Sequence, residues 1–255
     1  MAPTAALELL EIRVLGGFRF ICGGSARRLR PSSERLVAFL AIVGGQRRCG
    51  AAVALWPDMT DNRSLANLRT VLWRLRSDHP DLVEEDADGV GLSDDVVVDL
   101  HRVRSWAFSA IKGDTNIFDP PPDVVALDLL PTWGDSWLVE PRHELRVLQL
   151  HALESATQRL MMGGRLGEAA TCALKAVIMD PFRESANRLL IEVYLREGNQ
   201  VDALRQYRKF QTLLAREIGV EPGPALTALI SSYFDIRPTR TKAGTLNTMD
   251  RRAGR

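Results

Sequence analysis

Cysteine is scarce in this 255-residue chain, and its three copies, Cys22, Cys49 and Cys172, are widely spaced with no Cys-x-x-Cys pair. None stands at metal-ligand spacing from any of the four histidines. A disulfide framework and a zinc module are thereby excluded, and thiols in a reducing compartment are expected. No apolar run approaches the roughly 18 residues of a membrane span. The N-terminal stretch MAPTAALELLEIRVLGG lacks an early basic cluster and carries Glu8 and Glu11, which argues against a secretory signal. A cytoplasmic protein with no membrane contact is the expectation. Catalytic signatures are missing as well: there is no HExxH, GxSxG, Rossmann fingerprint or GxxxxGK[ST]. An enzyme is not expected, and neither is a cofactor, a metal or a catalytic residue. Lysine is limited to Lys112, Lys175, Lys209 and Lys242, so arginine carries almost all of the positive charge.

What is present is ordinary in amount and uneven in placement. Apolar residues make up 45% and charged residues 25%, enough for a sizeable core, and the length favours two domains. The net charge of +1 hides an asymmetry. Residues 1–78 hold twelve arginines against six acids, whereas residues 79–99 hold eight acids and neither Lys nor Arg. A basic block of this kind fits a DNA-binding face, although many soluble domains are locally basic.

Residues 7–21 alternate in part around Gly16-Gly17 and predict two short strands. Pro31-Ser32-Ser33-Glu34 predicts a helix start, with Ser32 or Ser33 as cap and Glu34 at the positive end. Leu36, Val37, Phe39, Leu40 and Val43 continue it at helical spacing until Gly44-Gly45. A second short helix is predicted from about Gly50 to Trp56, ahead of Pro57-Asp58.

The third predicted helix, residues 61–80, is the most informative. Leu65, Leu68, Leu72 and Leu75 form a narrow apolar stripe, and Arg63, Asn67, Thr70 and Arg74 lie opposite with Trp73 beside them. Arg, Asn and Thr are the side chains that read guanine, adenine and the thymine methyl in a major groove. Asn67, Thr70, Trp73 and Arg74 are therefore the candidate base contacts, and Arg47, Arg48, Arg63, Arg69 and Arg76 the candidate phosphate contacts. A merely solvated amphipathic helix would look the same in isolation. Residues 82–98 then read as a β-hairpin around Asp88-Gly89, and its runs Glu84-Glu85-Asp86 and Asp94-Asp95 as a solvated face. Strands, three helices and a hairpin make the winged-helix order. It resembles the response-regulator type, in which Leu75-Arg76 matches the Leu-Arg pair near the helix end and Arg74 the preceding base-contacting arginine. The hairpin lacks the Arg and the aromatic usual near such a tip, so repulsion from phosphate is expected to weaken its groove contact.

A short helix is predicted around residues 100–111, then a polar, proline-rich break at residues 113–122. From Val124 to about Phe234 the chain reads as helical. Gly164 and Gly198, Glu168 and Asp202, Ala169 and Ala203, and Leu160 and Tyr194 repeat at an offset of 34. Ala176 and Pro181 sit where a tetratricopeptide unit places its later Ala and its helix-ending Pro. Two such units need flanking helices to cap them.

The segment from Asp180 to Leu226, with DPFRE, EGNQVDALRQY and EIGVEP, resembles the bacterial transcriptional activator domain, and Trp133–Glu154 resembles the segment preceding it. Together with the winged helix, the chain is similar to the SARP type of antibiotic regulatory protein over roughly residues 7–236. The resemblance implies an activator of secondary-metabolite gene clusters that binds direct repeats in promoter DNA, self-associates there and recruits RNA polymerase. The expected architecture is mainly α with a small β component: a winged helix-turn-helix domain at 1–99 and an all-helical, tetratricopeptide-like domain at 100–236. Residues 237–255 are expected to be a disordered basic tail, either adding non-specific DNA affinity or simply solubilising. An interaction scaffold with weak or lost DNA binding is the alternative, favoured by the acidic hairpin.

Overall fold

The computed structural model describes residues 9–113 and 123–234. Strands β1 (Leu10–Arg13) and β2 (Arg19–Cys22) pair antiparallel across Gly16 and Gly17, both at positive φ. The sequence reading missed β3 (Ser25–Arg27), which extends this sheet beyond β2. Helix α1 (Pro31–Val43) follows, then the two-residue strand β4 (Gln46–Arg47), α2 (Arg48–Leu55) and α3 (Asp61–Asp78). Strands β5 (Val83–Glu85) and β6 (Gly89–Leu92) form the expected hairpin, and β4 pairs with β6 to make a three-stranded sheet in the order β4-β6-β5.

Two local expectations need correction. The cap of α1 is not a serine: Pro31, with its preset φ, takes the first helical position and leaves the N-cap to Arg30. Ser33 lies inside the first turn, is buried, and gives its amide to the Arg30 carbonyl at 2.8 Å. Nor does the hairpin run to residue 98. A turn in which Val96 N–H donates to Ser93 C=O (3.0 Å) redirects the chain. Val97–Val98 then forms β7, parallel to β1, so the first sheet has the order β3-β2-β1-β7.

The core of this half forms because each element turns one apolar face inward. Ile12 and Phe20 from the strands meet Leu36 and Leu40 of α1, Leu55 of α2, and Leu68, Leu72 and Leu75 of α3, all nearly or fully buried. Leu65 is only partly buried and Val71 takes a core place, so the buried stripe of α3 is wider than the leucine spacing alone indicated.

Helix α4 (Asp99–Lys112) leads into the second half, where α5 (Val139–Met162), α6 (Leu166–Met179), α7 (Glu184–Arg196), α8 (Gln200–Glu217) and α9 (Pro224–Tyr233) follow. Residues 127–138 correct the expectation of continuous helix from Val124. A 3-10 turn at Asp123–Ala126 is followed by irregular chain that turns at Leu130 to Thr132, and by another 3-10 turn at Ser136–Leu138. Pro131 removes a donor and disfavours helix at Leu130, whose amide goes instead to the Val14 carbonyl at 2.9 Å.

The 34-residue offset has a direct structural counterpart. Gly164 and Gly198 both adopt positive φ, 72° and 80°, where a Cβ would be strained. Around each, the helix ends in the same pair of bonds: Arg165 N–H to Leu160 C=O and Gly164 N–H to Met161 C=O, then Asn199 N–H to Tyr194 C=O and Gly198 N–H to Leu195 C=O. These are the paired closures of a Schellman motif. Ala169, Ala173, Ala176, Ala186 and Ala203 are all buried and allow the paired helices to approach closely. One continuous core runs from the first sheet through α7, and a smaller cluster joins α7, α8 and α9 around Phe210 and Ile230. The architecture is thus a small winged helix followed by an all-helical part. The expected tail at 237–255 and most of the proline-rich break lie outside the described residues.

Candidate nucleic-acid interface

Helix α3 forms because Leu68, Val71, Leu72 and Leu75 recur every three or four residues, and Ser64 can be buried beside them by donating its hydroxyl to Asp61 C=O at 2.9 Å. That leaves the other face outward. Trp73 is 70% exposed, a large aromatic the core does not use. Thr70 is exposed, and Asn67 and Arg74 are half-buried. All four candidate base contacts therefore lie together along the outward side of α3.

Their bonding differs. Asn67 Nδ2 approaches the Met59 sulfur at 3.1 Å, which ties the residue to the turn between α2 and α3. Thr70 returns its hydroxyl to Ala66 C=O at 2.9 Å, turning its methyl group away from that bond. Arg74 makes no hydrogen bond or ion pair with the described residues, so its fork of donors is unspent.

The five candidate phosphate contacts separate into two kinds. Arg47 and Arg63 are exposed and make no side-chain bond with the described residues, and Arg69 makes only a long one, 3.4 Å, to Leu65 C=O. Arg48 is engaged. It donates to the carbonyls of Ala87 and Asp86 at 3.0 Å each and to Glu85 at 2.8 Å, bracing the hairpin turn. Arg76 also reaches Glu85, at 3.0 Å, while its side chain stays 55% exposed.

The acids of the hairpin are equally employed. Glu85 is almost buried and links an arginine of α2 to one of α3. Asp86 Oδ1 accepts from the amides of Asp88 (3.0 Å) and Gly89, closing the turn with a side chain. Glu84 accepts from the Ser93 hydroxyl at 2.9 Å across the hairpin. Of the carboxylates expected to form a solvated face, Glu84, Asp86, Asp94 and Asp95 are exposed and Glu85 is not, and Glu84 and Asp86 also bond within the hairpin. An aspartate three residues before a turn glycine was the available signal for Asp86. No comparable signal marks the pairing of Arg48 with Glu85.

Nothing else among the described residues gathers chemistry. No group of three or more His, Cys, Asp or Glu side chains is placed to hold a metal ion, and no helix is long and apolar enough to cross a membrane. Burial pushes the Cys172 thiol up to about 11, which keeps it protonated at neutral pH and unreactive.

Residues 125–232 match the family model of the bacterial transcriptional activator domain. The chain is similar to the regulatory protein AfsR of Streptomyces coelicolor, 28% identical over 249 residues covering 90% of this chain and 24% of that one. It is also similar to the transcriptional regulatory protein EmbR of Mycobacterium tuberculosis, 35% identical over 92 residues covering 33% of this chain and 24% of EmbR. The chain thus spans about a quarter of the length of these curated relatives. Among solved structures, Mycobacterium tuberculosis EmbR in complex with a low affinity phosphopeptide matches with a TM-score of 0.61 at 23% identity, over 88% of this chain and 64% of that one, a likeness of fold. With a bacterial transcriptional activator domain behind a winged helix, and with relatives of this kind, the chain is similar to the SARP type of regulatory proteins.

Proposed function

We propose that this chain is a sequence-specific, DNA-binding transcriptional activator that reads direct repeats in promoter DNA, recruits RNA polymerase and serves a secondary-metabolite gene cluster of the antibiotic kind. The supporting observation is the outward face of α3, where an exposed Trp73 stands beside an unpaired Arg74 and in line with Arg63, Asn67 and Thr70. In this reading Asn67, Thr70, Trp73 and Arg74 meet base edges, because α3 presents Arg, Asn and Thr donors together with an apolar surface for a thymine methyl. Arg47, Arg63, Arg69 and Arg76 meet phosphates, and Arg48 serves by holding the wing in place.

Residues 1–99 form the DNA-binding unit and residues 100–236 the unit that engages polymerase and neighbouring protomers. The protein acts in the cytoplasm, without enzymatic activity. The second reading is a helical-repeat interaction scaffold with weak or lost DNA binding. The exposed carboxylates Glu84, Asp86, Asp88, Asp94 and Asp95 favour it, since they oppose the approach of phosphate.

A gel-shift titration with the promoter DNA upstream of the chain's own gene separates the two. A retarded band that outlasts excess non-specific competitor is the expected result. Retardation that competitor abolishes, or none at all, would replace the activator by the scaffold.

A further inference from the structure

The two halves meet through residues 127–138, and the bonding there is unusually concentrated. On the winged-helix side the chain leaves β1 at Val14 and Leu15, both buried. Their amides donate to the carboxylate of Asp99, at the start of α4, at 3.0 and 3.2 Å. From the opposite direction Leu130 N–H donates to Val14 C=O (2.9 Å), Gly16 N–H donates to Asp128 C=O (2.8 Å), and Leu15 bridges Leu129 in antiparallel fashion. The exit of β1 is therefore gripped from two sides, by the first residue of α4 and by residues 128–130 of the helical half.

The gripping segment is itself strained. Leu130 is the only non-glycine among the described residues at positive φ, 42°, and it is fully buried. Such a conformation persists only where its surroundings over-determine it. Here the Leu130 amide is held by Val14 C=O, and one side chain holds the carbonyls around it. Arg142, in the first turns of α5, donates through Nε to Leu129 C=O at 2.8 Å and through an Nη to Trp133 C=O at 2.8 Å and to Leu130 C=O. Three carbonyls converge on one guanidinium, which serves them from two nitrogens held in a fixed plane, an arrangement that the single nitrogen of a lysine does not reproduce.

Beyond Arg142 the segment is anchored to the winged helix by rings and charge. Trp133 lies 6.0 Å from Phe18, centroid to centroid, and Trp137 meets Phe39 edge-on at 5.2 Å. Asp135 pairs with Arg35 of α1 and accepts the Trp137 indole N–H at 3.1 Å.

We propose that Arg142 is a positioning residue that folds residues 127–138 into a clamp joining the winged helix to the helical half, so that a displacement of α5 is passed to the exit of β1. The clamp is a property of the chain itself and stands whether or not α3 reads DNA.

The test compares the full chain with Arg142→Gln and Arg142→Lys by amide hydrogen exchange, without DNA. In both variants the Leu130 and Gly16 amides should exchange faster by about tenfold or more, while amides of α3 and α8 keep their protection, the mark of a local opening rather than global unfolding. Unchanged exchange at Leu130 and Gly16 in both variants would overturn the clamp. So would a uniform loss of protection across the chain, which would make Arg142 a general stabiliser. Full retention of wild-type behaviour by Arg142→Lys would also overturn it, because charge without the fork would then suffice.

Discussion

Helix α3 and the hairpin that follows it are adjacent in sequence, opposite in charge and different in how that charge is used. On α3, Arg63 and Arg74 point outward with no partner among the described residues, and Trp73 stands in solvent. In the hairpin, Glu85 is held by Arg48 and Arg76, Asp86 closes its own turn, and Glu84 takes the Ser93 hydroxyl. Composition counts these groups alike. The structure shows that Arg63 and Arg74 of α3 are available to a partner, while much of the hairpin's acid is committed to its own shape. A run of like charge is therefore weak evidence about a ligand until its internal partners are known.

The comparison breaks most visibly if α3 is not the reading element. Arg74→Ala should cost about 1–3 kcal/mol of specific binding and relax sequence preference, with Asn67→Ala acting the same way more weakly. Wild-type affinity for operator DNA in both variants, with folding intact, would remove α3 from that role. Next in size is the salt response. Arg63→Ala and Arg69→Ala should each flatten the slope of log affinity against log salt by about 1. Arg48→Ala should leave that slope unchanged and lower the melting temperature instead; a slope lowered as much as by Arg63→Ala would place Arg48 on phosphate.

Smaller effects sharpen the hairpin side. Asp86→Ala loses two turn hydrogen bonds and should cost about 1 kcal/mol of stability, measured by denaturant unfolding. A midpoint equal to the wild type would show that the turn closes without its side chain. Smallest is Glu84→Gln, which removes one exposed charge. It should tighten DNA binding slightly at low salt and not at all at high salt, where screening already hides the charge. Equal affinity across the salt series would mean that the hairpin points away from DNA.

How much of this was legible in the sequence follows from the range of the forces involved. The helices were, because burial leaves a local period: Leu68, Leu72 and Leu75 are buried as their spacing predicts. The repeated helix ends were too, since a Gly at positive φ is required at the same point of each unit. The short strands β4 and β7 were not. Their two residues each carry no pattern, and they exist because β6 and β1 offer open edges. The path of residues 127–138 was hidden for the same reason, its backbone bonds going to residues 14–16, more than a hundred positions earlier. For the candidate interface, the outward residues of α3 could be named from the helical wheel. That Arg48 is spent on the hairpin could not, because its partners lie 37 to 39 residues away.

The parallel pairing of β1 with β7 also has a consequence for synthesis. Ile12 sits opposite Val98, so one edge of β1 waits for 86 further residues after it leaves the ribosome. At about 5–20 residues per second that wait is on the order of ten seconds. During it the β1–β2 hairpin can form, but its far edge shows unpaired amides and carbonyls beside the apolar Ile12 and Val14. An open edge of that kind is a template for another nascent chain. Slow translation between Cys22 and Val97 should therefore raise aggregation, and the same slowing placed after Leu130 should not.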